Sequence, residues 1–288
     1  MKCIFFYVLL FFFTFLPTYA FTCQVTDDLK QNIHLNQPAK RIITLAPDLT
    51  EILFAISVGQ NIIATVDSSD YPSAALHIPR IGSYTGIDLE RIVSLHPDLI
   101  VTWGHNFSRE LRVLKKMGIP VYTTVSRYLQ DVPRTMQNLG CLTAHEQDAQ
   151  KQVTIFTDAL QKLQKQYHHQ KIQRVFYQIG GAALFTINQE NWINQVITLC
   201  GGQNIFASLK TPSPEVSWEA VIAANPQVII SDATGVAWKK HWARWQQVAA
   251  VRDHRLFTID PNLIDRAGPR LVEGAKRICV ILSEAKDH

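Results

Sequence analysis

An α/β architecture is what the patterning of this chain implies: two Rossmann-like lobes with parallel sheets, bridged by one long α-helix, with a ligand cleft between the lobes. Three observations carry that expectation. Residues 88–101 recur in altered form as residues 217–230, with Glu90 aligned to Glu219, Pro97 to Pro226 and Ile100 to Ile229. Strand-like and helix-like segments alternate along both halves. Between them, from Ala144 to about His168, no Gly or Pro intervenes, and Val153, Phe156, Leu160, Leu163 and Tyr167 fall at steps of three and four, the period of a helix with one buried stripe.

Each copy of the repeat reads as a capped short helix, a proline-punctuated turn and a buried strand. Asp88 and Ser217 are the N-caps, and Pro97 and Pro226 stop the helix before the apolar run. Leu99-Ile-Val101 and Val228-Ile-Ile230 lack alternation, as expected of parallel strands covered on both faces. A duplicated strand-helix unit, one per half, implies two similar lobes facing each other. The other elements of the first lobe follow in order. Residues 24–37 form a short strand and turn, and Arg41–Ala46 is a strand. A helix runs over Glu51–Ser57, capped by Thr50 or Asp48 and ended by Gly59. Strands follow at Ile62–Val66 and Pro120–Val125, with a helix at Arg109–Met117 between them. At 1.5 Å per residue the connector of about 25 residues spans roughly 37 Å, enough to run along one lobe and hand the chain to the other. The second lobe carries strands at Arg174–Gln178 and Leu256–Ile259. Its helices lie near Trp192–Cys200, near Trp238–Gln247 and at Pro269–Ala285. The expected divisions are 1–20, 21–143 (first lobe), 144–170 (connecting helix) and 171–288 (second lobe). A single helix packed on both lobes resists bending, so small closure motions are expected rather than a wide hinge.

The first 20 residues read as a secretory signal: Lys2, an apolar run from Ile4 to Leu16 broken only by Thr14, then Thr18 and Ala20 at the positions a signal peptidase inspects. The apolar core is too short to span a membrane. A lipid anchor at Cys23 is the competing reading, but Ala20-Phe21-Thr22 makes a poor lipobox. Of 28 Lys and Arg against 24 Asp and Glu, one Lys leaves with the signal. The mature charge is therefore about +3, with basic residues scattered, and nucleic acid is not expected as a partner. Four cysteines remain after the signal. Cys200 and Cys279, both on helical segments of the second half, are expected to pair in an oxidising compartment; Cys23 and Cys141 stay open.

The anchors Arg41-Ile-Ile-Thr-Leu-Ala-Pro with Thr50-Glu51, Ser69-Asp-Tyr-Pro72, Asp88-Leu-Glu-Arg-Ile-Val, Pro97-Asp-Leu-Ile-Val and Gly118-Ile-Pro-Val121 mark the first half. Arg174-Val-Phe-Tyr-Gln178, Leu199-Cys-Gly-Gly-Gln-Asn-Ile-Phe206 and Asp265-Arg-Ala-Gly-Pro-Arg270 mark the second. With these anchors the chain resembles, over nearly all of residues 40–283, the helical-backbone substrate-binding proteins of ABC importers, in particular their periplasmic cobalamin (vitamin B12) branch. The resemblance implies a periplasmic, monomeric protein with no catalytic cofactor. Its transported ligand would be cobalamin or a related corrinoid, delivered to a transmembrane permease dimer and its ATPase. It further implies that Glu90 and Glu219, one on the tip of each lobe, dock onto permease arginines. Ligand-lining positions by the same resemblance are Ser68, Tyr84, Trp103, Phe185, Ser213 and the tract Asn262, Leu263, Ile264, Asp265, Arg266. Arg266 is read as a donor to a corrinoid amide or phosphate, or else as a surface partner of Asp265. Ser68, Ser213, Tyr84, Leu263 and Ile264 depart from the branch's aromatic pattern, which predicts a less aromatic, still apolar pocket and leaves cobinamide or another tetrapyrrole open.

Haem or a ferric siderophore, on the same fold, is the alternative ligand. A metal-ion receptor needs convergent His and carboxylates, and the ten histidines are scattered; only His105, just past Trp103, is placed to reach the cleft. Catalysis is not expected: Gly82-Ser-Tyr-Thr-Gly86 has glycines at the spacing of a nucleophile elbow but a non-central Ser, and no phosphate loop or HExxH occurs.

Overall fold

Beta-branched runs flanked by turn residues pair as parallel strands here because helices cover both faces and hide the backbone. A computed structural model of the chain describes residues 21–104, 106–167, 171–181 and 183–284. Residues 1–20, read above as a secretory signal, His105 and the end of the expected connector at 168–170 lie outside the described residues. The first lobe holds a four-stranded parallel sheet in the order Ile62–Ala64, Ile42–Thr44, Leu99–Trp103, Val121–Thr124. The second lobe repeats it with Gly202–Asn204, Gln173–Gln178, Val228–Ser231 and Leu256–Thr258. Numbered along the chain, both sheets have strand order 2-1-3-4. The repeated unit supplies the third strand in each, and its caps form as expected: the Asp88 side chain accepts from the Arg91 amide and Ser217 from that of Ala220.

The connecting helix runs from Glu146 to Tyr167, with Ala149, Val153, Phe156, Leu160 and Leu163 buried. It packs on the helix Asp131–Thr143 of the first lobe and on the helix Leu271–Glu284 of the second. One apolar core therefore runs unbroken through both lobes, from Ile42 and Leu99 through Phe156 and Leu163 to Val228 and Ile278. Separate clusters fill the outer faces, around Ile43 and Ile100 in one lobe and around Phe176 and Trp242 in the other.

Several elements differ from the sequence reading. The helix expected at Glu51–Ser57 starts at Pro47 and ends at Ala55. Proline at the first helical position has no amide to waste and a preset φ, so Asp48 and Thr50 lie inside the helix and the cap is the extended Ala46. The helix Asp131–Thr143 was not expected, because Pro133 and Gly140 disguise it. Gly140 is needed there: a Cβ would come within 2.5 Å of the Ala149 Cβ on the connecting helix. The edge strand Gly202–Asn204 and the hairpin Gly82–Ser83 with Gly86–Ile87 are too short for periodicity to reveal. The helix expected near Trp238–Gln247 is only Ala237–Trp242.

Cys200 and Cys279 are disulfide-bonded. So are Cys23 and Cys141, tying the N-terminal hairpin Cys23–Thr26 and Asn32–Leu35 to the helix Asp131–Thr143. With its sulfur in this disulfide, Cys23 has no free thiol. No helix among the described residues is long and apolar enough to cross a membrane.

Candidate ligand cleft

At the carboxyl ends of parallel strands the chain must turn away, and the turning loops build the walls of a crevice. Here the first lobe contributes Leu45, Ala46, Pro47 and Asp48 after its first strand, Val66 and Ser68 after its second, and Trp103, Asn106 and Phe107 after its third; Tyr84 comes from the short hairpin. Across the gap stand Trp192 and the tract Asp265–Ala267 of the second lobe. The enclosed part measures about 250 Å³, smaller than the roughly 300–1,000 Å³ typical of ligand pockets, so a tetrapyrrole-sized guest must also occupy the open mouth. Tyr84, 89% exposed, and Trp103, 37% exposed, present large apolar faces there without a guest. Trp192 is packed in the wall, its indole nitrogen donating to the Ile264 carbonyl at 2.8 Å.

Of the ten expected lining residues the structure brings Ser68, Tyr84, Trp103, Asp265 and Arg266 together around this cavity. Ile264 does not line it: its side chain is fully buried in the core, because it closes the inner face of the four-residue helix Pro261–Ile264. Asn262 and Leu263 on that helix, with exposed Phe185 and Ser213 of the second lobe, also lie outside the enclosed space.

Arg266 is not the surface partner of Asp265. Its guanidinium crosses the cleft to the first lobe, donating to Glu51 at 2.9 Å, to Asp70 at 2.7 Å and to the Ser68 carbonyl at 3.2 Å. Arg270 donates through Nε and Nη2 to the two oxygens of the same Glu51, at 2.9 and 2.6 Å. The Arg270 guanidinium also lies 4.0 Å from the Tyr71 ring centre, a cation–π contact. Asp70 is held below the usual carboxylate range, first by its hydrogen bond from Arg266. Glu51, 1% exposed, is thus the anion through which two second-lobe arginines join the lobes. The loop carrying Ser68 and Asp70 is pinned from behind by buried hydroxyls: Thr44 to Thr50 at 2.7 Å, Thr44 to Thr65 at 2.6 Å and Thr65 to Ser69 at 2.7 Å. The anchors Thr50-Glu51 and Ser69-Asp70 were visible in the sequence, but nothing there joined them to Arg266 and Arg270, about 200 residues away.

Two carboxyls in the cleft wall stay partly protonated near neutral pH. Burial pushes Asp48 up to about 7, although it sits in the first turn of a helix, where the macrodipole favours the anion. Desolvation outweighs the dipole because the side chain is buried on every side but the cleft. Asp265 is raised by desolvation of its carboxyl head and then by neighbouring Asp232. The residue as a whole is exposed, and its carboxyl accepts from the Tyr177 hydroxyl at 3.2 Å. Asp232 in turn accepts from the Gly180 amide. No cluster of His, Cys, Asp and Glu among the described residues is arranged to hold a metal ion.

Residues 42–263 match the family model described as periplasmic binding protein. The chain belongs to the periplasmic binding proteins. Among its relatives, the vitamin B12-binding protein of Vibrio parahaemolyticus is 33% identical over 246 residues, covering 85% of this chain and 90% of that protein. The vitamin B12-binding protein of Pectobacterium atrosepticum is 34% identical over 275 residues, 93% and 97% of the two chains. The crystal structure of the periplasmic vitamin B12 binding protein of Vibrio cholerae superposes with a TM-score of 0.80 at 34% identity, covering 87% of this chain and 99% of that one. A periplasmic heme-binding protein of Roseiflexus, with a TM-score of 0.76 at 20% identity over 86% of this chain and 99% of its own, shares the fold. This periplasmic binding protein puts its cleft between two parallel-sheet lobes.

Proposed function

We propose that this protein captures cobalamin or a closely related corrinoid in the periplasm and presents it to the transmembrane dimer of an ABC importer with its ATPase. The observation that carries the reading is the cleft: apolar and aromatic walls from Trp103, Tyr84, Phe107 and Trp192, with the one arginine present already paired. A corrinoid is a broad ring edged with amides, so it needs flat apolar contact and a few hydrogen bonds rather than charge neutralisation. The identity to vitamin B12-binding proteins over most of both chains supports the same ligand.

Glu90 and Glu219 are the proposed docking residues. Both are exposed, and both sit in the first turn of the capped helices of the duplicated unit. Glu219 is held below the usual carboxylate range, first by its own backbone amide and then by Ser217, so it meets a partner as an anion. Two acids on matched tips suit a two-fold partner bearing arginines, where charge-assisted pairs set orientation. Calorimetric titration with cyanocobalamin, cobinamide, haem and a ferric siderophore tests the ligand; saturation by haem or the siderophore, with neither corrinoid bound, refutes it. Trp103→Ala is expected to weaken corrinoid binding at least tenfold. Glu90→Ala with Glu219→Ala is expected to abolish uptake while the solution affinity stays put. A collapse of that affinity assigns both glutamates to the pocket or the fold.

A further inference from the structure

Inventory of charge around the cleft gives an unequal balance. Two cations, Arg266 in the lining and Arg270, which shares Glu51 with it, are matched by two anions, Glu51 and Asp70. Beyond that neutral set the wall carries only acids, Asp48 from the first lobe and Asp265 from the second, and no Lys or His among the described lining residues. An arriving carboxylate or phosphate therefore finds both guanidiniums already engaged, Arg266 with Glu51, Asp70 and the Ser68 carbonyl, and Arg270 with Glu51. To gain a full counter-charge it must compete with Glu51 or Asp70, and displacing Glu51 leaves a buried acid unpaired.

We infer that Asp48 and Asp265 are specificity-determining residues that make the cleft select neutral or cationic, amide-edged tetrapyrroles and reject those bearing peripheral carboxylates. The inference rests on the corrinoid reading and narrows it. A carboxyl suits an amide in either protonation state. Protonated, it donates to the amide carbonyl; ionised, it accepts from the amide NH₂. Against a carboxylate the ionised form repels, and the protonated form offers a single donor in place of a counter-charge. That both groups hold protons up to near neutrality keeps the amide-compatible state populated without supplying any cation. Haem, with two propionates, is the tetrapyrrole this arrangement turns away, so the rejected class includes the chief rival ligand.

The test compares cyanocobalamin with cyanocobalamin monocarboxylic acid, in which one side-chain amide is hydrolysed, on wild-type protein and on Asp48→Asn with Asp265→Asn, by calorimetry at pH 7.5. The readout is the ratio of the two affinities within each protein. On wild type the acid is expected to bind at least tenfold more weakly; in the double variant the ratio is expected to fall below threefold. Equal binding of acid and amide by wild type overturns the inference and leaves the corrinoid reading standing. So does a ratio that stays tenfold or more in the variant. Absence of binding by both cyanocobalamin and cobinamide overturns the corrinoid reading and this inference with it. Should the double variant not fold, Asp265→Asn alone, at the more open of the two sites, is expected to halve the logarithm of the ratio, and no change in it counts against the assignment.

Discussion

Glu51→Ala removes the acid on which two arginines of the opposite lobe converge. The arginine side chains are only 12% and 15% exposed, and the Glu51 side chain 1%, so water replaces the lost partner poorly. Breaking a buried ion pair by truncating one member costs about 3–5 kcal/mol. Arg266 keeps Asp70 and Arg270 keeps the face of Tyr71, which puts the expected loss at the lower end, about 3 kcal/mol. With an unfolding entropy of roughly 2 cal/mol/K per residue over about 260 residues, that corresponds to a Tm lower by about 5 °C. Differential scanning calorimetry reads the shift, and a double-mutant cycle with Arg270→Ala isolates the pair, with a coupling of about 1.5 kcal/mol or more expected. Glu51→Gln, which keeps the shape and one acceptor, is expected to lose about half as much. A Tm within about 1.5 °C of wild type for Glu51→Ala, or additive single losses, refutes the claim that Glu51 clamps the lobes.

Because one core runs through both lobes along the connecting helix, the radius of gyration from small-angle scattering is expected to fall by less than about 1 Å on ligand binding; a drop of several ångströms contradicts a stiff connector. Cys200→Ser with Cys279→Ser opens a 79-residue loop, and the chain-entropy model together with typical losses predicts destabilisation of about 2–5 kcal/mol, readable by urea unfolding. Opening the 118-residue loop between Cys23 and Cys141 is expected to cost a similar amount. Asp48 gives a pH signature. Its folded pKa of about 7 lies above the unfolded value of 3.8, so the folded state holds the extra proton between them, and stability present below pH 4 is lost as pH rises through 7. The loss is on the order of 4 kcal/mol. Relative to wild type, Asp48→Asn is expected to gain stability progressively from pH 4 to pH 8, and parallel profiles sink that assignment.

Much of the fold was legible because it is written in local periods. The doubled unit at 88–101 and 217–230 located the third strand of both sheets with its cap and its helix, and the gap-free stretch after Ala144 located the connector. What escaped has physical causes. The helix Asp131–Thr143 was hidden by Gly140, present for close packing on Ala149 rather than for a turn. The start at Pro47 was missed because acids and hydroxyls that look like caps, Asp48 and Thr50, serve the cleft wall and a buried hydroxyl cluster instead. At the site, aromatic residues at strand ends could be placed, since a bulky side chain after a buried strand emerges where the lobes meet. The Glu51–Arg266–Arg270 clamp could not: its members are ordinary charges in sequence, and only the tertiary fold brings them within hydrogen-bond reach.

The duplication also explains why the two ends of the lobes follow different rules. At the tips the copies remain alike: Glu90 and Glu219 each stand in the first turn behind a side-chain cap, exposed and identical in chemistry. In the cleft, outside the repeat, the lobes are complementary: the first offers Glu51 and Asp70, the second Arg266 and Arg270. Four charges of one sign at hydrogen-bond distance would repel, by several kcal/mol where water is excluded, so the paired set takes one sign from each lobe. Opposite charges close the floor, and closure fixes which groups remain to meet the ligand. Those left over are aromatic faces and two carboxyls, a set suited to a ring edged with amides.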